Sequence, residues 1–136
     1  PAEALPGWEP RAVTPGAGGS APPLAGVKVL NLGTVIAGAY AGTLLTDLGA
    51  EVIKVEPPGG AAARSLGPFA DGGAGDSLYW ASVGLGKRSV VLAIESPGGR
   101  EQLLGLADGA DVLVESFDPG YLASLGLGYG QLFVLG

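Results

Sequence analysis

Lys87 and Arg88 stand together after Gly86 and ahead of the apolar run at residues 89–94. They form the one dibasic pair in a chain of formal charge −6. Such a pair can meet a phosphate; a solvated turn accounts for it equally well. A second feature can hold an anion without side chains. Residues 33–38, GTVIAG, join an apolar run to a helical pattern, and main-chain N–H groups at a helix start receive phosphate or pyrophosphate. The segment is not GxGxxG and no GK[ST] follows it. Taken alone, such a turn is more often a connection only. Glu115, Ser116 and Asp118 close another apolar run, and Asp118, just ahead of Pro119, reads foremost as a helix cap. Lys54 and Glu56 share a face by the period of two, where a salt-bridged strand end is the simple reading. No two carboxylates have a spacing that identifies an acid–base pair.

Histidine and cysteine are absent. This excludes Ser–His–Asp and Cys–His mechanisms, thiolate metal sites and disulfides within the chain, and no metal is expected. The acidic balance argues against a nucleic-acid partner. The 136 residues and a hydrophobic share of 47% suit about one domain with a core.

The elements that must position these residues follow from the pattern. Residues 26–56 read as strand (27–32), tight turn, helix (37–48, ended by Gly49) and strand (52–55), the opening of a parallel sheet. A long Pro/Gly-rich loop follows at 57–76. Asp76 or Ser77 then caps a short helix at 78–83. A third strand spans 89–94. Ser96 and Pro97 start a helix running to about Ala107. A fourth strand spans 111–115. Short helical segments are expected from Asp118-Pro119 to about Leu125 and over 129–135. The alternation predicts an α/β fold: an open, mostly parallel, Rossmann-like sheet of about four strands, with helices on both faces. Ligand crevices of such sheets lie at the carboxyl ends of the strands.

Residues 1–23 are rich in Pro, Gly and Ala and read as a linker or arm, with Trp8 docked on a neighbouring surface or in a loose tail. The domain is expected to occupy 24–136. Residues 29–46 carry no charge over 18 positions, which a buried strand and a buried helix explain without a membrane span. Residues 1–22 lack a signal-peptide pattern, so a cytoplasmic location is expected. Four strands and a chain closing on FVLG suggest the first part of a larger unit, or half of a split one, with apolar surface left to associate.

Six segments in order, PLAGVKVLNLGTVIAG, LLTDLGAEVIKVEPPGG, SLYW, GKRSVVL, SPGGRE and ADVLVESFDPGYLASLGLGY, are similar to the class III CoA-transferases. These include formyl-CoA and carnitine CoA-transferases and are related to α-methylacyl-CoA racemase. The resemblance covers nearly all of residues 23–132. It implies a CoA thioester lying across the strand ends, an interlocked homodimer, and CoA contacts at Ile36 and Ala37, at Leu92, Ala93 and Ile94, and at Ser116 and Phe117. It also implies CoA transfer between an acyl-CoA and a carboxylic acid through an aspartyl anhydride and thioester. The Asp that forms them lies downstream of LGLGY in the family, so no catalytic residue is assigned here.

This sequence departs from the family pattern at several positions. Asn31 stands for the usual Asp, Ala39 for Pro, and Ser116-Phe117-Asp118-Pro119-Gly120 for an NFRPG-like segment. Ser124 stands for Arg, and a basic residue near Pro57 or Glu95 is missing. Each charge-assisted phosphate contact is worth roughly 1.5–3 kcal/mol, which leaves main-chain amides, Lys87 and Arg88 to compensate. The alternative expectation is a non-catalytic structural or regulatory module that partners an active homologue.

Overall fold

The computed structural model describes residues 20–132. Trp8 and the rest of residues 1–19 lie outside them, as do residues 133–136. Strands β1 (Lys28–Asn31), β2 (Glu51–Glu56), β3 (Arg88–Val91) and β4 (Val112–Val114) form one parallel sheet in the order β3-β2-β1-β4. Helices α1 (Ala37–Asp47), α2 (Leu78–Gly84), α3 (Pro97–Ala107), α4 (Tyr121–Ser124) and α5 (Tyr129–Leu132) alternate with them.

Side chains alternate across the pleat and divide the core between two layers. Leu30, Ile53, Val55 and Val90 pack with Leu103 and Leu106 of α3 and Leu132 of α5. Val29 and Val52 pack with Ala50 and with Leu45 of α1. Helices therefore cover both faces, as the alternation of elements predicts.

The chain winds outward from β1 to β2 and β3, then crosses back under α3 to lay β4 on the other side of β1. The winding direction reverses between β1 and β4. This is the switch point at which open α/β sheets leave a crevice.

Local chemistry explains most boundaries. Ser77 caps α2 by accepting the Trp80 N–H, and Ser96 caps α3 by accepting the Gly99 N–H, each at 3.0 Å. Pro97 occupies the first turn of α3, where its missing donor costs nothing. β3 is shorter than the sequence suggests. Its register pairs Glu56 with Val91, and Pro57 and Pro58 then end β2. Asp118 does not cap α4: the cap position is Gly120 at φ 88°, with no side-chain hydrogen bond. Asp118 and Pro119 instead form a turn closed by the Tyr121 N–H on the Asp118 carbonyl. The loop at 57–76 is less irregular than expected. It holds single 3₁₀ turns at Ala62–Ser65 and Asp71–Gly73 and a bridge between Phe69 and Ser77.

Two close approaches set the geometry of the first βα unit. A Cβ on Gly33 would lie 2.5 Å from the Gly38 Cα, and one on Gly42 would lie 1.9 Å from Asn31 Nδ2. The outer side of α1 is apolar, with Ile36, Tyr40, Leu44 and Leu48 all exposed at intervals of four. Helix α1 contains no Lys, Arg or Glu, whereas surface helices usually carry charge on that side.

Gly33→Ala is expected to destabilise the fold by about 2–3 kcal/mol, the cost of overpacking a closed contact. Gly105→Ala, in the open interior of α3 with nothing within 4 Å, should stabilise by about 0.5–1 kcal/mol. Urea unfolding of the two variants checks the contrast.

Candidate functional site

The switch point brings the turn after β1 against the segment after β4. Ser116 Oγ accepts the Thr34 N–H at 2.7 Å and lies 3.2 Å from Thr34 Oγ1. Val35 holds a left-handed φ of 49°, strained for a β-branched residue. The Tyr79 hydroxyl from α2 donates to the Val35 carbonyl, which gives the SLYW segment a role in fixing this turn. The N-cap residue of α1, Ile36, supplies no side-chain acceptor, so the helix opens onto the crevice edge without a side-chain cap.

Behind this edge lies a cavity of about 150 Å³, lined by Thr34, Lys54, Glu56, Leu92, Ile94 and Phe117 among others. Pockets that enclose a drug-sized ligand run to about 300–1,000 Å³. A long ligand would therefore place one end here and run out over the strand ends. A larger hollow of about 540 Å³ follows the unpaired side of β4. Asp111, Glu115 and Asp118 rim it, which disfavours a phosphate there. The cavity at the strand ends carries Glu56 and Glu95 but also Lys54, whereas the hollow has no basic residue, so the cavity is the better candidate for an anionic ligand.

The anticipated contact residues divide into two groups. Leu92 and Ile94 are buried on the cavity wall and Phe117 borders it, whereas Ile36, Ala37 and Ser116 are exposed and do not line it. Ala93 is half-buried, and its carbonyl accepts both the N–H and the hydroxyl of Ser96. Lys87 and Arg88 have their main chain away from this edge, although the Lys87 amino group reaches back to the first turn of α1. They precede β3 or begin it, at the amino end of the sheet. Lys87 Nζ donates to the Ala39 carbonyl at 2.6 Å, and Arg88 is salt-bridged to Glu51 at the start of β2.

Lys54 and Glu56 also differ from the simple reading. Both are buried, and they do not bond each other. Lys54 Nζ donates to the Gly33 carbonyl. Burial lowers its pKa to about 8, although Glu56 pulls the other way. Glu56 accepts from Arg64 through both carboxylate oxygens at 2.7 and 2.8 Å, from the Ala61 N–H at 2.8 Å, and from Ser89. Burial alone would raise this carboxyl, but the hydrogen bonds from Arg64, Ser89 and Ala61 outweigh it and hold the pKa at about 2. Arg64 in turn lies 4.0 Å over the Trp80 ring, which fastens the loop after β2 to α2. At the far rim the Tyr121 hydroxyl donates to Glu95 at 2.8 Å, which lowers the Glu95 carboxyl and raises the Tyr121 phenol. Among the described residues, no group of three or more His, Cys, Asp or Glu could hold a metal ion, and no helix is long and apolar enough to cross a membrane.

Sequence reasoning missed Thr34 and Tyr79, and it took Lys54 for a salt-bridged strand end, not a buried cation on a cavity wall. The signal for Lys54 was available, since it occupies the same inward face as Val52 on an interior strand.

Comparison with known proteins decides the family. The model describing CoA-transferase family III matches residues 24–133. The chain belongs to CoA-transferase family III. It is 45% identical over 112 residues to a probable fatty acyl-CoA transferase of Mycobacterium tuberculosis, covering 82% of this chain and 28% of that protein. It is 47% identical over 111 residues to the human succinyl-CoA:glutarate CoA-transferase, covering 81% of this chain and 25% of that one. Among solved structures, a CAIB/BAIF family protein from Brucella suis superposes with a TM-score of 0.75 at 39% identity, covering 82% of this chain and 30% of that one. This family III chain thus spans about a quarter to a third of the length of the relatives it matches.

Two outcomes test the site's construction. Ser116→Ala removes the acceptor for the Thr34 N–H and should cost about 1 kcal/mol in thermal unfolding. Glu56 is depressed in the folded state, so its stabilisation is present above about pH 4.5 and is lost as pH falls towards about 2. Glu56→Gln should flatten that acid limb and destabilise by about 2–3 kcal/mol at neutral pH, read by urea unfolding between pH 3 and 7.

Proposed function

We propose that this chain forms the CoA-binding wall of a family III CoA-transferase. The complete enzyme would move CoA between an acyl-CoA and a carboxylic acid through an aspartyl anhydride and then an aspartyl thioester, a form of covalent catalysis. The nucleophilic Asp would come from sequence outside these 136 residues. The observation that carries the reading is the Thr34–Ser116 junction at the switch point. It sets two of the three anticipated CoA-contacting segments edge to edge, and Leu92 and Ile94 of the third lie behind them.

In this reading the first turn of α1 and the Ser116-Phe117 segment flank the nucleotide end of CoA, with Lys54 behind them. Leu92, Ile94 and Phe117 give the apolar surface against which the less charged part of the ligand lies. The exposed apolar side of α1 supports association with a second copy or a completing chain of the same family.

One observation favours the second reading, a non-catalytic module. Lys87 and Arg88 are engaged internally, and Asp118 and Ser124 stand where the family pattern has basic residues. Phosphate contacts from side chains are therefore scarce.

Titration calorimetry with CoA separates the two. Micromolar affinity is expected, and no heat of binding at millimolar CoA would favour the module. The protein incubated with succinyl-CoA and free glutarate is expected to form no glutaryl-CoA by itself. Turnover would contradict a nucleophile outside these residues.

A further inference from the structure

Two amino groups lie beneath the turn that opens α1. Lys54 Nζ donates to the Gly33 carbonyl and Lys87 Nζ to the Ala39 carbonyl. Neither takes part in a salt bridge among the described residues. The polar side chain beside them is Asn31, an amide rather than a carboxylate. Its Nδ2 donates to the Gly38 carbonyl at 2.9 Å, while its Oδ1 is buried without a partner. The cluster is compact. A Cβ on Gly42 would lie 1.9 Å from Asn31 Nδ2 and 3.0 Å from Lys87 Nζ.

The surrounding charges do not neutralise the pair. Glu56, two residues along β2 from Lys54, is taken by Arg64, Ser89 and the Ala61 N–H. Helix α1 offers Tyr40 and Asp47, both on its exposed side. From α2, Tyr79 is committed to the Val35 carbonyl. After β4, Glu115 accepts the Phe117 N–H. At the start of β2, Glu51 is paired with Arg88. Lys54 lines the cavity together with Glu56 and Glu95, and Glu95 accepts the Tyr121 hydroxyl.

We infer that Lys54 and Lys87 are a cationic reserve for the anionic ligand, so that binding of a CoA phosphate group at this edge takes protons up from weakly alkaline solution. The inference rests on the CoA-binding reading and adds to it a source of anion affinity that makes no direct contact through an exposed side chain.

Burial lowers both lysines to about 8, with Glu56 opposing the effect at Lys54 and Lys54 adding to it at Lys87. Near that pH each is partly neutral in the free protein. An anion brought to the cavity favours the charged forms and raises both values. Affinity is then full below about pH 8 and falls as pH rises above it, roughly tenfold between pH 7 and pH 9. The ligand's phosphates do not titrate there, their second pKa being about 6.

The test is calorimetry with acetyl-CoA, which has no free thiol, at pH 8 in buffers of different ionisation enthalpy. The dependence of observed heat on buffer enthalpy counts the protons exchanged. Uptake of about 0.5–1 proton at pH 8, falling towards zero near pH 7, is expected. Lys54→Met should reduce it. Asn31→Asp, which keeps the shape and places a carboxylate among the lysines, should abolish it. Binding without uptake, or uptake unchanged in both variants, overturns the inference and leaves the CoA site standing. No binding at millimolar acetyl-CoA overturns both.

Discussion

The turn between β1 and α1 leaves the Gly33 and Val35 carbonyls and the Thr34 amide without a helix or sheet partner, and the fold is arranged to satisfy them and to give the first carbonyls of α1 a second donor. A buried carbonyl or amide without a partner costs about 1–3 kcal/mol. Here each is met by a different element. Lys54 of β2 takes the Gly33 carbonyl, Asn31 of β1 takes Gly38, and Lys87, just before β3, takes Ala39. Tyr79 of α2 takes Val35, and Ser116 after β4 takes the Thr34 amide. The contact of Gly33 with Gly38 makes the turn tight enough for all five to reach it. The crossover that returns the chain to β4 is what brings Ser116 within range.

The same arrangement decides the electrostatics. In an acidic chain, two of the cations are drawn under one turn to satisfy carbonyls, and neither forms a salt bridge among the described residues. Arg88 and Arg64 are spent on Glu51 and Glu56. In the proposed CoA-binding reading, the site attracts an anion through buried charge and main-chain amides more than through exposed basic side chains. That makes it salt-insensitive relative to a surface patch, because buried charges are screened less than exposed ones.

Much of the fold was legible because its determinants are local. The run at residues 26–56 shows its strands by β-branched content and its helix end by Gly49. Ser77 and Ser96 announce their helices by capping chemistry. The strand ends after β1 and β4 were legible as a candidate site through the crevice rule. What was hidden depends on strand order. The Thr34–Ser116 contact joins residues 82 apart and exists only because β4 pairs with β1. Lys87 and Arg88 are the instructive case. Residues that lead into a parallel strand have their main chain at its amino end; the expected fold implied this, and it leaves Arg88 with Glu51, but it did not reveal that the Lys87 side chain reaches back to the Ala39 carbonyl. Gly120 defeated the reading of Asp118 as a cap, since its left-handed conformation delays α4.

The central claim is that CoA lies across the junction of the β1 and β4 ends. Amide chemical-shift mapping during a CoA titration tests it most directly. The account predicts that the shifts concentrate at residues 33–38, 92–95 and 115–117, with the amino ends of the strands unmoved. Shifts confined to the hollow beside β4 and α5, or none at saturating CoA, would contradict it.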